Sequence, residues 1–70
     1  MTHMLGIDLG GTDIKSALIT KDGSQSETRS TPTPQADPSG ESAINRLSEI
    51  ILEYARDHSF EGVGLAVPGL

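Results

Sequence analysis

The sequence has 70 residues, with ten Asp or Glu against five Lys or Arg and no cysteine. A chain this short is at most one small domain and buries only about 60% of the surface that its unfolded form exposes, so with two aromatic residues we expect it to be part of a larger protein or to be stabilised by a partner. The acidic balance argues against nucleic-acid binding, and the lack of cysteine excludes disulfides and Cys-ligated zinc.

The sequence also shows neither a membrane-spanning segment nor a signal peptide. No apolar run approaches the roughly 20 residues that a membrane-spanning helix needs. The N-terminus (Met1–Leu5) has no basic region followed by a long apolar stretch, as a signal peptide would have. We therefore expect a cytoplasmic protein.

The first two apolar runs predict a β-hairpin. Residues 4–9 indicate a buried strand that contains Asp8 near its end, and residues 14–20 indicate a second strand. Gly10 and Gly11 stand between them, and we expect glycine to supply the positive φ of the tight turn. A further turn at residues 21–23 leads to residues 25–31, which are polar on both faces and predict an edge strand.

A Pro-rich connection over residues 31–38 is interpreted as a plain loop. Asp37 followed by Pro38 predicts a helix N-cap and a first helical residue, and the helix is expected to run over about residues 38–58. Its charged face is interpreted as solvated. Apolar residues recur at helical spacing and predict the buried face: Ala43, Ile44, Leu47, Ile50, Ile51 and Tyr54.

The last segment, Gly62 to Val67, is apolar without polar alternation and is typical of a strand buried on both faces. The single predicted helix can cover only one of those faces.

Asp8-Leu9-Gly10-Gly11-Thr12 carries the clearest chemical signal. Glycines allow a ligand close to the backbone amides, and a concave row of amides binds phosphate. Thr12 adds a hydroxyl and Lys15 a cation, while Asp8 could hold a hydrated Mg²⁺. The pattern is neither a P-loop nor a dinucleotide fingerprint. The alternative is that the glycines only close a hairpin and that Asp8 only ends a strand. His3 and His58 lack partners at metal-ligand spacing.

Two motifs together resemble a known family. The run from Leu5 to Lys15 is similar to the phosphate-binding hairpin of the ROK family (repressors, open reading frames, kinases), which belongs to the ribonuclease H-like, actin-like ATPase superfamily. The run from Gly62 to Gly69 resembles the fourth strand of that family and the Pro-Gly loop that follows it. The resemblance implies an α/β fold: residues 1–70 would form the β-β-β-α-β N-terminal part of one truncated ATPase-type domain with a mixed sheet.

The resemblance also implies roles for individual residues. Asp8 would orient the Mg²⁺ of Mg-ATP through water, and Lys15 would lie near the transferred phosphate. The phosphates would be cradled by Gly10, Gly11 and Thr12, and the sugar would lie beside Pro68 and Gly69. The catalytic Asp, the zinc-ligand cluster and the adenosine-binding motif would lie beyond residue 70, so the 70-residue chain itself is expected to be inactive.

The implied function is transfer of the ATP γ-phosphate to a hexose, with glucose as the first candidate. Three alternatives remain: a ROK transcriptional regulator, a polyphosphate glucokinase, and a chaperone-like or actin-like ATPase. A hairpin that begins at Leu5 leaves no room for a preceding helix-turn-helix domain, and Thr12 followed by Lys15 favours the sugar kinases. The sugar and the phosphate donor stay open. We also expect a homo-oligomer, and self-association of the chain through the edge formed by Gly62–Val67.

Overall fold

The computed structural model describes residues 3–35 and 38–67. The order of elements is the predicted β-β-β-α-β. The elements are strands β1 (His3–Leu9), β2 (Asp13–Thr20) and β3 (Gln25–Pro32), helix α1 (Glu41–Asp57) and strand β4 (Gly62–Ala66).

The four strands form one mixed sheet in the order β3-β2-β1-β4. The β1–β2 and β2–β3 pairs are antiparallel, while β4 runs parallel to β1 with Leu5 opposite Val63. A parallel return requires a crossover, and α1 supplies it. The fold is therefore the mixed α/β arrangement that the sequence predicts.

β3 is an edge strand, as its polar sequence predicts, and it contains a β-bulge. The register between β2 and β3 shifts between Ser16 and Leu18, and Glu27 on the bulged strand has a φ of 52°. A positive φ at a non-glycine residue is uncommon. The strand ends at Pro32, which has no N–H to offer a neighbouring strand and is tolerated at an edge.

β4 lies at the opposite edge of the sheet, and the expected two-sided burial is not found among the described residues. Val63, Leu65 and Val67 are 41%, 52% and 61% exposed. The physical reason is the position of the helix, because the buried cluster of the described residues joins α1 to β1 and β2 and includes no residue of β4. The apolar side chains of β4 therefore lack a covering layer.

The helix begins later than the sequence indicates. Pro38 lies in a turn, and Gly40, with a φ of 73°, precedes the first helical residue Glu41. The predicted capping by Asp37 and Pro38 is therefore wrong for Pro38, and Asp37 lies outside the described residues. The left-handed backbone of Gly40 is incompatible with continuing the helix upstream. The Ser39 hydroxyl instead accepts a hydrogen bond from the Glu41 N–H.

The core lies between α1 and one face of the sheet. Leu5 and Ile7 of β1 and Ile14 and Leu18 of β2 pack with Ile50 and Tyr54 of the helix, and Leu47 and Ile51 flank them. Ile44 was predicted to join this face but is 60% exposed. At about 100° per residue it lies roughly 120° around the helix from Ile50, which places it beyond the centre of the contact.

Candidate functional site

The predicted hairpin connects β1 and β2. Asp8 is opposite Lys15 and Leu9 is opposite Ile14 in the antiparallel register. The Gly10 N–H donates a hydrogen bond to the Asp13 carbonyl oxygen (3.0 Å). The loop over residues 10–13 is thus tightly closed at its base.

The two glycines of this loop are needed for different reasons, and the predicted positive φ is wrong for both, since only Gly23 and Gly40 have one among the described glycines. A Cβ on Gly10 would lie 2.7 Å from the Asp13 carbonyl oxygen, so glycine is required there by space. A Cβ on Gly11 would meet nothing within 4 Å. The fold itself does not require glycine at position 11, whereas a ligand that approaches the backbone would.

The loop offers backbone donors to a ligand. Across residues 3–35 and 38–67, no hydrogen bond uses the N–H of Gly11 or Thr12 as donor. Two carbonyl oxygens of the loop, by contrast, accept hydrogen bonds from Thr33. Its hydroxyl donates to the Gly10 carbonyl oxygen (2.8 Å) and its N–H to that of Thr12 (2.9 Å).

Asp8 and Lys15 stand side by side on the sheet face opposite α1. As cross-strand partners their Cβ atoms are about 5 Å apart. Both side chains are exposed, and in the described part of the chain neither makes an ion pair or side-chain hydrogen bond. A carboxylate and an ammonium group are therefore free to meet a ligand at the hairpin.

An open groove of about 870 Å³ crosses this helix-free face. Residues from all four strands line it, including the small residues Gly6, Ala17, Ser30 and Gly64, and Asp8 and Lys15 also belong to the lining. Ala66, the last residue of β4, is the parallel partner of Asp8, so β4 ends beside the hairpin. Pro68 and Gly69, predicted to lie near the sugar, are outside the described residues.

A polar cluster around Tyr54 was missed by the sequence analysis, which treated this residue only as part of an apolar helix face. The fully buried Tyr54 donates its hydroxyl proton to the Glu27 carbonyl oxygen (2.6 Å) and lies 3.1 Å from the Ser16 hydroxyl. With its one proton committed, Tyr54 accepts from Ser16. The Arg29 guanidinium lies 4.3 Å from the ring centroid. These contacts fix β3 and its bulge against α1.

Around the histidines, and elsewhere within residues 3–35 and 38–67, there is no group of three or more His, Cys, Asp or Glu that could hold a metal ion. His58 lies just after α1, where its backbone N–H donates to the Tyr54 carbonyl oxygen (2.9 Å) and its Nε2 is 3.5 Å from the Glu27 carboxylate.

No helix among the described residues has both the length and the apolar character needed to cross a membrane.

The family follows from comparison with known proteins. The sequence profile of the ROK family matches residues 4–70. The chain belongs to the ROK family. This ROK chain matches none of the curated proteins with which it was compared.

Two solved structures resemble this ROK chain over almost its whole length. A ROK family glucokinase from Streptomyces griseus, in complex with glucose and AMPPNP, superposes with a TM-score of 0.80 at 25% identity and over 96% of this chain. A protein from Cytophaga hutchinsonii described as a sugar kinase superposes with a TM-score of 0.74 at 33% identity and over 97% of this chain. This chain covers 20% and 23% of those two proteins, so it spans about a fifth of their length.

The comparisons confirm the predicted family and fold class. The four-stranded mixed sheet and the one helix of the described residues match the N-terminal part of the ROK kinases, which share the actin-like ATPase fold.

Proposed function

We propose that residues 1–70 are the N-terminal part of an ATP-dependent sugar kinase and that the β1–β2 hairpin binds the phosphates of Mg-ATP. The observation that carries the proposal is the combination of unpaired loop amides with a free carboxylate and a free ammonium group beside them. The likeness to a glucokinase that binds glucose and AMPPNP supports the same reading. More specifically, we propose a cytoplasmic, homo-oligomeric hexose kinase with glucose as its first candidate substrate.

The residues of the hairpin fit a magnesium-bound triphosphate. No atom lies within 4 Å of the place where a Cβ of Gly11 would be. A phosphate oxygen could therefore approach this backbone closely and accept hydrogen bonds from the N–H groups of Gly11 and Thr12. The Thr12 hydroxyl provides a further donor. Asp8 is exposed and unpaired, so its carboxylate can accept hydrogen bonds from water on a hydrated cation.

Phosphoryl transfer needs little covalent chemistry from the protein, and positioning and charge stabilisation dominate. Bound Mg²⁺ would supply charge neutralisation at the phosphates. Lys15 would place a second positive charge on the same side of the hairpin. Lys15 opposite Asp8 would offset the charge of that carboxylate, which limits the repulsion that the anionic phosphates would otherwise meet.

The remaining parts of the catalytic machinery are proposed to lie after Leu70. A sugar hydroxyl needs a proton acceptor, and general-base catalysis contributes about 10²- to 10⁴-fold. We expect that base, the adenosine-binding motif and the zinc ligands downstream, with Pro68 and Gly69 beside the sugar. Residues 1–70 alone should then give only background turnover.

The proposal is tested by Asp8→Asn in the full-length kinase, with Asp13→Asn as the matched control. Asp13 is an exposed carboxylate in the same hairpin, one residue after Thr12. Outer ligands of a metal typically contribute about 10- to 100-fold to metal affinity or activity. We expect Asp8→Asn to lower kcat by that factor, to raise the Mg²⁺ concentration needed for half-maximal rate, and to leave the KM for sugar within about twofold.

The readout is a coupled assay with glucose and other hexoses as acceptors and with ATP or polyphosphate as donor. An unchanged kcat for Asp8→Asn at saturating Mg-ATP would reduce Asp8 to a structural role. Turnover with polyphosphate in the absence of ATP would show that polyphosphate, rather than ATP, is the phosphate donor. An equal loss in Asp13→Asn would mean that charge in the hairpin, rather than a site at Asp8, accounts for the effect.

A further inference from the structure

Thr33 connects the segment that follows β3 to the hairpin between β1 and β2. Its hydroxyl donates to the Gly10 carbonyl oxygen (2.8 Å) and its N–H donates to the Thr12 carbonyl oxygen (2.9 Å). One residue therefore holds both sides of the glycine loop from 21 or more residues away in the sequence. The sequence analysis interpreted this stretch as a plain connection.

The sequence around Thr33 fixes its backbone before any contact is made. Pro32 is the last residue of β3, opposite Asp13, and has no N–H. Thr33 follows it directly, and its N–H donates to the Thr12 carbonyl oxygen. Pro34 follows, and a residue before proline is restricted to extended conformations. Proline on both sides thus lowers the entropy lost when Thr33 is placed against the loop.

The hydroxyl contact orients the amide that matters for a phosphate ligand. The Gly10 carbonyl and the Gly11 N–H belong to one planar trans peptide group and point in opposite directions. A hydrogen bond that holds the Gly10 oxygen toward Thr33 consequently directs the Gly11 N–H away from Thr33. That N–H has no hydrogen-bond partner in the described part of the chain, and the space over Gly11 is open.

We propose that Thr33 is a positioning residue for nucleotide binding, which pre-orients the Gly10–Gly11 peptide group so that its N–H donates to a phosphate oxygen. This inference rests on the proposed phosphate-binding role of the hairpin. Without the hydroxyl the peptide group can rotate, and ligand binding must then restrict it at the expense of affinity. The Thr33 N–H still holds the Thr12 oxygen, so the loop keeps its overall path.

The test uses Thr33→Val in the full-length kinase, with Thr33→Ser as the conservative rescue and Thr31→Val as the matched control. Thr31 is the threonine on the other side of Pro32, and its side chain makes no hydrogen bond among the described residues. From the net contribution of one hydrogen bond, Thr33→Val should raise the KM for Mg-ATP by about 3- to 10-fold. The KM for sugar should stay within about twofold, and Thr33→Ser and Thr31→Val should resemble the wild type.

A second readout does not depend on activity. The ¹⁵N order parameter of the Gly11 amide in the nucleotide-free protein should fall in Thr33→Val and recover in Thr33→Ser. If valine prevents folding, Thr33→Ala gives the same two readings. An unchanged KM for Mg-ATP in an active enzyme, or an equal rise in Thr31→Val, would overturn the inference. A wild-type protein without kinase activity would instead sink the proposed function, and the order parameter would still show whether Thr33 holds the loop.

Discussion

Asp22 organises the turn between β2 and β3 through one carboxylate oxygen. That oxygen accepts hydrogen bonds from the Thr20 hydroxyl and from the Ser24 N–H. The Thr20 bond above all, with the Ser24 bonds next, lowers the pKa of Asp22 from 3.8 to about 2. Hydrogen bonds to the ionised form of a carboxylate lower its pKa because protonation would remove an acceptor.

The lowered pKa of Asp22 makes the turn sensitive to acid. A carboxylate whose pKa is depressed in the folded state contributes stability that is complete above its unfolded pKa and is lost as the pH falls from about 4 to about 2. We expect wild type to have a higher Tm than Asp22→Asn at pH 7 and the two Tm values to converge near pH 2. Because the side chain is exposed the difference will be small, and an equal Tm gap at pH 7 and pH 2 would contradict the assignment.

At the scale of elements, helix α1 is attached to the sheet by a polar contact inside an apolar core. Tyr54 donates to the bulge carbonyl of Glu27 and accepts from Ser16, while Arg29 covers its ring and lies 3.5 Å from Glu53. The bulge at Glu27 turns a backbone carbonyl of the edge strand toward the helix, where Tyr54 is the group that satisfies it. The strained φ of Glu27 is therefore tied to the docking of the helix.

Tyr54→Phe should destabilise the protein by about 1 to 3 kcal/mol, because it leaves a partly buried carbonyl without its donor. The buried Ser16 hydroxyl loses its acceptor at the same time. A double-mutant cycle with Ser16→Ala, read by urea unfolding, should show a coupling energy between the two hydroxyls of about 0.5 kcal/mol or more. Strict additivity would mean that the Ser16–Tyr54 contact contributes nothing to stability.

These elements also show which features local sequence can predict. The hairpin, the polar edge strand and the helix are set by periodicity over a few residues, and the sequence analysis finds all three. The predicted start of the helix is wrong because Asp37-Pro38 has the sequence pattern of an N-cap, whereas the helix begins only after Gly40, whose φ is positive. The contacts of Tyr54 with Ser16 and of Thr33 with Gly10 span 38 and 23 residues, and no local pattern encodes such pairs.

At the scale of the whole molecule, the two edges of the sheet differ in character. β3 is polar and carries a bulge and a terminal proline, which are the usual devices that prevent an edge from pairing with another chain. β4 has none of these. It has no charged residue, and the side chains of Val63 and Leu65 in the strand and of Val67 just after it are 41% to 61% exposed. No described strand lies beside its outer backbone groups.

The 70-residue chain is therefore predicted to self-associate through β4. Sedimentation velocity over a range of concentrations should show reversible association in wild type. Leu65→Lys should shift the chain toward monomer, because a lysine on an edge strand opposes pairing. Ser26→Lys is the matched control, since it makes the same change of net charge from −5 on the polar edge β3 and should associate like wild type. A wild-type monomer at all concentrations, with the outward β4 amides protected from hydrogen exchange, would show that the β4 edge is covered within one chain, because such protection needs a partner for those amides.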